Sequence, residues 1–334
     1  MKALVTGGGG FLGRALVERL VRAGHDVTAA ARGDYPGLRE LGARTLRMEL
    51  ADPEAVRQAV AGCDVVFHAG AKAGVWGPRS EFMRTNVTGT RNVIDACRSA
   101  GVARLVYTSS PSVVFDGRDH EGAGPDLPYA SRFEAHYPET KAAAERMVLE
   151  ANGPGLATVA LRPHLIWGPR DPHLLPRLLA RAKQGRLAIV GRGHNKVGLT
   201  YVANAAAAHE QVASRLEPGA PCAGRAFFIH DLEPVELWPW LDTLVTRLGL
   251  PPITRRIPET LARGAGLLAE ACWRALPLRG EPPMTRFVAA QLARSHWYDM
   301  GPAQRAFGYD PPVGPAEALD RTVAYWQEAL GNAS

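Results

Sequence analysis

Within the stretch HYPETK a tyrosine, Tyr137, stands four residues ahead of a lysine, Lys141. On a helix that spacing puts both side chains on one face, close enough for the ammonium to act on the phenol. A free phenol titrates near pH ~10 and is poorly matched to proton transfer at neutral pH unless a neighbouring cation favours its phenolate. Lys141 supplies such a field. The same pair also arises by chance on many solvated helices, so two residues alone do not decide between chemistry and surface.

A second constellation opens the chain. TGGGGFLG holds Gly7, Gly10 and Gly13 in a G-x-x-G-x-x-G pattern, with Phe11 and Leu12 between the last two. Glycines there permit a tight turn, let backbone N–H groups approach a pyrophosphate and bring helix close to strand, while the helix N-terminus favours negative charge. A glycine-rich turn without a ligand has the same spelling, but this one follows a short apolar run and precedes an amphipathic stretch, as a dinucleotide site requires. At the end of the second such run, the acid that ordinarily holds the ribose hydroxyls of NAD is missing; the chain has Ala31 and then Arg32. A guanidinium there favours a 2′-phosphate, hence NADP(H) over NAD(H), unless Arg32 is only a solvated loop residue.

The elements that must position these groups are legible as an alternation. Six short apolar runs recur with helical patterns between them, at 2–7, 25–31, 44–50, 64–70, 104–110 and 157–163. Continuous rather than period-two hydrophobicity marks strands buried on both faces, so the spacing predicts an α/β fold with a doubly wound parallel sheet. FLGRALVERLVRAG carries apolar residues at helical spacing and stops at Gly24.

Composition narrows the class. With 46% hydrophobic and 22% charged residues, the chain is an ordered globular protein. No run of 18 or more apolar residues appears and the N-terminus lacks a signal peptide's arrangement, which places the protein in the cytoplasm. Cys63, Cys97, Cys222 and Cys272 are scattered without metal-ligand spacing, so reduced, buried thiols are expected, with neither zinc nor disulfides. The net charge of +6 comes from dispersed arginines without interleaved aromatics, which suits anionic small molecules rather than nucleic acid.

With both constellations in one chain, the sequence resembles the extended short-chain dehydrogenase/reductases over essentially its whole length. The motifs follow in order: TGGGGFLG, Glu49 and Leu50 where the adenine is flanked, HAGAKAG with Ala69, Gly70 and Lys72, NVTGTRNV with Asn86, YTSS ending at Ser110, Tyr137 and Lys141, and LRPHLIWGP with Pro163. The resemblance implies that Tyr137 protonates a carbonyl oxygen, that Lys141 lowers its pKa and binds the nicotinamide ribose, and that Ser110 bonds the same oxygen. It also implies that Lys72 reaches the cofactor phosphate, that Asn86 lies near the cofactor and that Pro163 passes the carboxamide. Lys72 is equally a candidate solvent-facing lysine. Pro111 and Ser112 stand where dehydratases carry an acidic pair, and Leu165 where sugar-nucleotide epimerases carry an asparagine, so neither reaction is expected.

LRP, IWGP, GEPPMTRF and HWYDMGPAQRAFGYDPP resemble the 3β-hydroxysteroid dehydrogenase branch. Within it, GAKAGVWG, YTSSPSV and RGEPPMTRF resemble the reductases that act with NADPH on a 2-alkyl-3-keto acid in bacterial long-chain olefin formation. A hydroxysteroid or other alcohol dehydrogenase is the alternative, and a non-catalytic nucleotide-sensing protein is a third reading that an intact Ser110, Tyr137 and Lys141 oppose. The resemblance divides the chain into a dinucleotide-binding domain at 1–165, with 195–225 returning to it, and a substrate-binding lobe at 166–334. It further implies a homodimer and assembly with other olefin-pathway enzymes. Trp76 and His164 are candidates to touch substrate, the histidine at a carboxylate, with ordinary packing as the alternative for each. The segment 259–278 predicts an amphipathic helix whose charges Arg263, Glu270 and Arg274 share one stripe; it packs on the substrate lobe, covers alkyl chains as a lid or rests on a membrane surface.

Overall fold

The computed structural model describes residues 1–276 and 278–331. Pro277, within the segment expected to form an amphipathic helix, and residues 332–334 of the expected substrate lobe lie outside the described residues. Seven strands form one parallel sheet: β1 (Lys2–Thr6), β2 (Asp26–Ala31), β3 (Arg44–Arg47), β4 (Val65–His68), β5 (Arg104–Thr108), β6 (Ala157–Pro163) and β7 (Arg225–Ile229). Their order is β7-β6-β5-β4-β1-β2-β3. The six apolar runs all become strands, shortened by up to three residues at an end. The seventh, RAFFI, obeys the same rule of continuous apolar residues but was not singled out by the sequence reading.

Strand order reverses between β1 and β4, because the chain winds outward to β3 and returns to start β4 on the other side of β1. Connections leave in opposite directions there, which opens a crevice beyond the C-terminal ends of the two strands. Helices cover both faces. α1 (Phe11–Arg22) lies on one, while α2 (Pro53–Val60), α3 (Gly89–Ala100) and α4 (His136–Glu150) lie on the other, and α5 (Val202–Arg215) packs beside α1. Alternation along β1 feeds both layers: Ala3 and Val5 join Leu16, Leu20 and Val212, whereas Leu4 joins Val56, Val93 and Ala144. Each large aliphatic side chain so buried contributes about 1.5–3 kcal/mol, which is why the double-sided covering of the sheet is so strongly specified.

A second core gathers Trp167, Leu175, Tyr201, Trp238, Leu241 and Leu244 above the crevice. A small four-stranded sheet borders this lobe, and one of its strands, His120–Ala123, comes from the loop after β5. Two further helices matter to the site, α6 (Glu259–Ala275) and α7 (Arg286–Ala293), which pack on each other. The polarity of α6 is opposite to that of an ordinary packed helix. Its buried residues are Ala262, Gly266 and Glu270, while Leu261, Leu267 and Leu268 are exposed, so the leucines do not pack on the substrate lobe. Cys272, expected to be buried, is exposed on the same helix. Among the described residues no helix is long and apolar enough to cross a membrane.

Backbone contact, rather than side-chain packing, sets the crevice geometry. A Cβ at Gly13 would lie 2.1 Å from the Gly7 carbonyl oxygen, so α1 can start this close to β1 only as glycine. Gly13→Ala is therefore expected to destabilise the protein by about 1–3 kcal/mol, read as a lower urea midpoint. Gly264→Ala, at an exposed position in α6 where a Cβ meets nothing within 4 Å, is expected to stabilise it slightly. Equal effects of the two substitutions would refute the packing account.

Candidate active site

The glycine turn forms a cradle at the reversal point. Gly7 takes φ +68° and a Cβ there would approach the Gly70 Cα to 2.6 Å, so the ends of β1 and β4 meet backbone to backbone. Gly10 donates to the Gly7 carbonyl at 2.8 Å and starts α1, whose first turn has neither a side-chain cap nor an acidic residue. Its leading N–H groups at Phe11 and Leu12 are thus left for an anion. Beneath the turn, Thr6 Oγ1 bonds His68 Nδ1 at 2.7 Å and accepts from the Gly70 amide at 3.2 Å, tying the two strand ends together. Burial, followed by the nearby Lys141 charge, draws the His68 pKa down to about 3, so that link stays neutral.

Around the turn the expected cofactor residues fall on the crevice side of the sheet. Leu50 is buried against Gly70 and Glu49 is half-buried beside it. Arg32 is exposed at the end of β2 and, among the described residues, has no acidic partner. An acid does lie nearby, at Asp34, which the sequence reading passed over; its carboxylate is engaged by Arg39, which lowers its pKa. Tyr35 covers the turn, since a Cβ on Gly9 would strike its ring. This cradle of close glycines and uncapped amides fits a nicotinamide dinucleotide.

Tyr137 and Lys141 both sit on α4, one turn apart, as the spacing predicts. Their electrostatics differ from the expectation. Lys141 is 2% exposed; its ammonium donates to the Thr108 carbonyl and lies 4.1 Å from the Tyr107 ring centroid. Burial draws its pKa down to about 7, against an upward pull from Glu145 one turn further on. Burial pushes the Tyr137 phenol up to about 12, and the group that pulls it down is Ser110, through a hydrogen bond. In this arrangement Lys141 therefore does not lower the Tyr137 pKa, because the carbonyl and ring hold its charge. Ser110 caps the short turn Pro111–Val113 and accepts from the Ser112 amide at 3.2 Å and the Ser112 hydroxyl at 2.9 Å. Both contacts use its lone pairs, which leaves the Ser110 proton to donate.

Asn86 and Lys72 are brought together in an unexpected way. Asn86, in a π-helical turn spanning Met83–Thr88, accepts from the Lys72 amide at 2.7 Å and donates to the Lys72 carbonyl at 3.1 Å and Thr140 Oγ1 at 3.0 Å. It clips the loop after β4 to α4. The Lys72 ammonium bonds Glu81 at 2.7 Å above the Phe82 ring, so in this arrangement it does not make the expected phosphate contact. Pro163 is the buried last residue of β6. Of the two readings of His164, packing is the one found: it is buried, its Nε2 lies 2.5 Å from His296 Nδ1, and burial, followed by the nearby His296 and His230, holds its pKa well below the usual value. A side chain so enclosed cannot hold a substrate carboxylate.

Beside Tyr137 opens a cleft of about 790 Å³, lined among others by Trp76, Phe115, His136, Trp273 and Phe287. Trp76 thus lies in the cleft, with the Arg274 guanidinium 5.5 Å from its ring centroid. Four further arginines line the wall, at 79, 132, 263 and 286. Arg79 pairs with Glu139, Arg263 with Glu134 and Arg286 with Glu270, whereas Arg132 has no acidic partner among the described residues. None of Arg132, Trp273 or Phe287 was named from the sequence. For Arg132 a signal existed, since it lies five residues before the candidate Tyr137.

Comparison with known proteins matches residues 4–258 to the 3-beta hydroxysteroid dehydrogenase/isomerase family. The 2-alkyl-3-oxoalkanoate reductase of Stenotrophomonas maltophilia is 52% identical over 326 residues, covering 97% of this chain and 99% of that protein. That of Shewanella oneidensis is 48% identical, covering 96% and 85% respectively. Among solved structures, MoeE5 in complex with UDP-glucose and NAD superposes with a TM-score of 0.76 at 26% identity, covering 99% of this chain and all of that one.

The buried ammonium has a measurable cost. Below a pH of about 7, Lys141 is charged in both folded and unfolded states, and the penalty for burying it is fully present. From about 7 up to its ordinary 10.5, only the unfolded chain holds the proton, so stability rises with pH and the penalty fades. Lys141→Met is expected to raise the melting temperature of the ligand-free protein most near about pH 6 and less near about pH 9. A gain that grows with pH would contradict this sign.

Proposed function

Because the chain belongs to the 3-beta hydroxysteroid dehydrogenase/isomerase family, we propose that it is an NADPH-dependent reductase converting a long-chain 2-alkyl-3-oxoalkanoate to the 2-alkyl-3-hydroxyalkanoate. The observation that carries this reading is one convergence: Tyr137, bonded to Ser110 and one turn before the buried Lys141, stands between His136 and Pro138, which line a cleft with aromatic and cationic walls, as a two-chained acid requires. The relatives from Stenotrophomonas maltophilia and Shewanella oneidensis, which cover nearly the whole chain, bear the name of that activity.

When bound, NADPH supplies the hydride that adds to the carbonyl carbon. The remaining work falls to this chain. Gly7, Gly10 and Gly13 with the α1 N-terminus hold the pyrophosphate, and Arg32 the 2′-phosphate. Ser110 and Tyr137 donate to the substrate carbonyl oxygen, where negative charge grows as the carbon is reduced. Tyr137, protonated throughout the physiological range, transfers its proton to that oxygen and the C=O becomes CH–OH. The phenolate left behind is stabilised by the Ser110 donor, while Lys141, its charge favoured by Glu145, is left for the nicotinamide ribose. Trp76, Phe115, Trp273 and Phe287 flank the alkyl branches, and Arg132 is the free cation for the carboxylate. The reaction that supplies such a substrate joins two fatty acyl chains.

Tyr137→Phe removes only the donated proton. Its turnover of a 2-alkyl-3-keto acid, followed as loss of NADPH absorbance, is expected to drop by about 10²–10⁴ with NADPH affinity retained. Turnover near that of the parent would remove the assignment, and a parent that reduces a 3-ketosteroid but no branched keto acid would move the substrate to the steroid class. Arg32→Ala is expected to weaken NADPH binding by about 10–100-fold and to leave NADH binding unchanged. Equal weakening of both cofactors would refute the phosphate role.

A further inference from the structure

The turn that follows β5 holds a second hydroxyl that the reductase reading leaves without a task. Ser110 lies two residues beyond the strand in extended backbone, and Pro111, which has no N–H to offer, opens the short turn Pro111–Val113. Ser112 thus supplies the first amide of the turn and donates it to Ser110 Oγ at 3.2 Å, while its hydroxyl lies 2.9 Å from the same atom. Tyr137 is the third group on Ser110, through the hydrogen bond that pulls the pKa of the phenol down.

A serine hydroxyl has one proton and two lone pairs. A bond that favours phenolate requires Ser110 to donate toward Tyr137, which commits that proton. In the 2.9 Å contact the donor is therefore Ser112, and with the Ser112 amide it fills both lone pairs of Ser110. Without the Ser112 hydroxyl one lone pair falls empty. Tyr137 can then donate to Ser110 instead, which turns the phenol proton away from the substrate oxygen. Donors into Ser110 also polarise its own O–H, so their loss weakens the bond that it gives. The neighbouring Ser109 offers no substitute, since on this residue, 3% exposed, the hydroxyl has no partner among the described residues. The backbone of the turn is held independently: the Val113 and Val114 amides donate to the Ser110 and Pro111 carbonyls at 3.2 and 3.1 Å, and the Ala130 amide donates to the Val113 carbonyl at 3.0 Å. Its shape does not depend on Ser112 Oγ.

We propose that Ser112 is a positioning residue for the carbonyl reduction: its hydroxyl fixes Ser110 as a one-way donor, so that the Ser110 and Tyr137 protons are both free for the oxygen being reduced. The inference rests on the reading of Ser110 and Tyr137 as the donors to that oxygen. Ser112 touches neither substrate nor cofactor in this scheme and acts only through Ser110.

The test is steady-state reduction, by the whole enzyme, of a 2-alkyl-3-keto acid or of whichever ketone the parent turns over. NADPH absorbance is followed for Ser112→Ala, Ser112→Thr, Ser110→Ala and the double variant Ser110→Ala, Ser112→Ala. Ser112→Ala is expected to lower kcat about three- to ten-fold with KM, NADPH affinity and melting temperature unchanged. Ser112→Thr keeps the hydroxyl and is expected to restore kcat. Ser110→Ala is expected to lose more, and the double variant no more than Ser110→Ala, because a residue acting through Ser110 has no effect once that hydroxyl is gone. Parent kcat in Ser112→Ala beside an impaired Ser110→Ala overturns this proposal and leaves the reductase reading standing. So does a loss that repeats in the Ser110→Ala background, or one that follows a lowered melting temperature and that threonine does not restore. A parent that reduces no ketone, or Ser110→Ala at the parent rate, removes the reductase reading and this proposal with it.

Discussion

Helix α4, which carries Tyr137 and Lys141, is held to the sheet by a buried ion pair, and the geometry of the candidate site depends on it. Glu145 of α4 receives the Arg162 guanidinium of β6 at 2.6 and 3.0 Å, with the two side chains 0% and 3% exposed, and it accepts from the Tyr129 hydroxyl at 2.8 Å. Charges taken from water are tolerated only with partners this complete, so the helix cannot rotate or slide without stranding one of them. That constraint fixes the register of everything else on α4. Lys141 lies one turn before Glu145 and Tyr137 two turns before it, so the pair that anchors the helix also aims the phenol at Ser110. The same carboxylate raises the pKa of the ammonium that burial depresses.

The other side of the crevice is governed by the absence of side chains. Gly7, Gly13 and Gly70 let two strand ends and a helix start converge within van der Waals contact of backbone atoms, and the N–H groups so exposed have no internal partner. Rigid backbone on one wall and an anchored helix on the other leave little freedom between them. The cleft beyond them is walled by α6, α7 and the loop after β4 that carries Trp76. Asn86 joins the two halves of the site, since one amide group clips the loop after β4 to Thr140 of α4.

Much of this was legible in the residues. The six apolar runs, the glycine spacing and the Tyr137/Lys141 interval identified a doubly wound sheet and a dinucleotide turn because each depends on local periodicity or on steric limits that a sequence displays directly. The chain's own spelling also separated Ala31 and Arg32 from an acidic strand end. Tertiary structure alone decided where side chains of the same type were spent. His164 could equally have met substrate or packed, and it packs against His296; Lys72 could equally have met a phosphate or solvent, and Glu81 holds it. The charge that lowers the Tyr137 pKa was assigned to Lys141, while in the fold Ser110 lies nearer in effect, since Thr108 and Tyr107 hold the ammonium. The leucines of α6 have the spacing of a buried face and are exposed, because rotation about a helix axis is set by Glu270 and its distant partner Arg286. Spacing along a chain specifies which residues share a face; what that face meets is a property of residues far away in sequence.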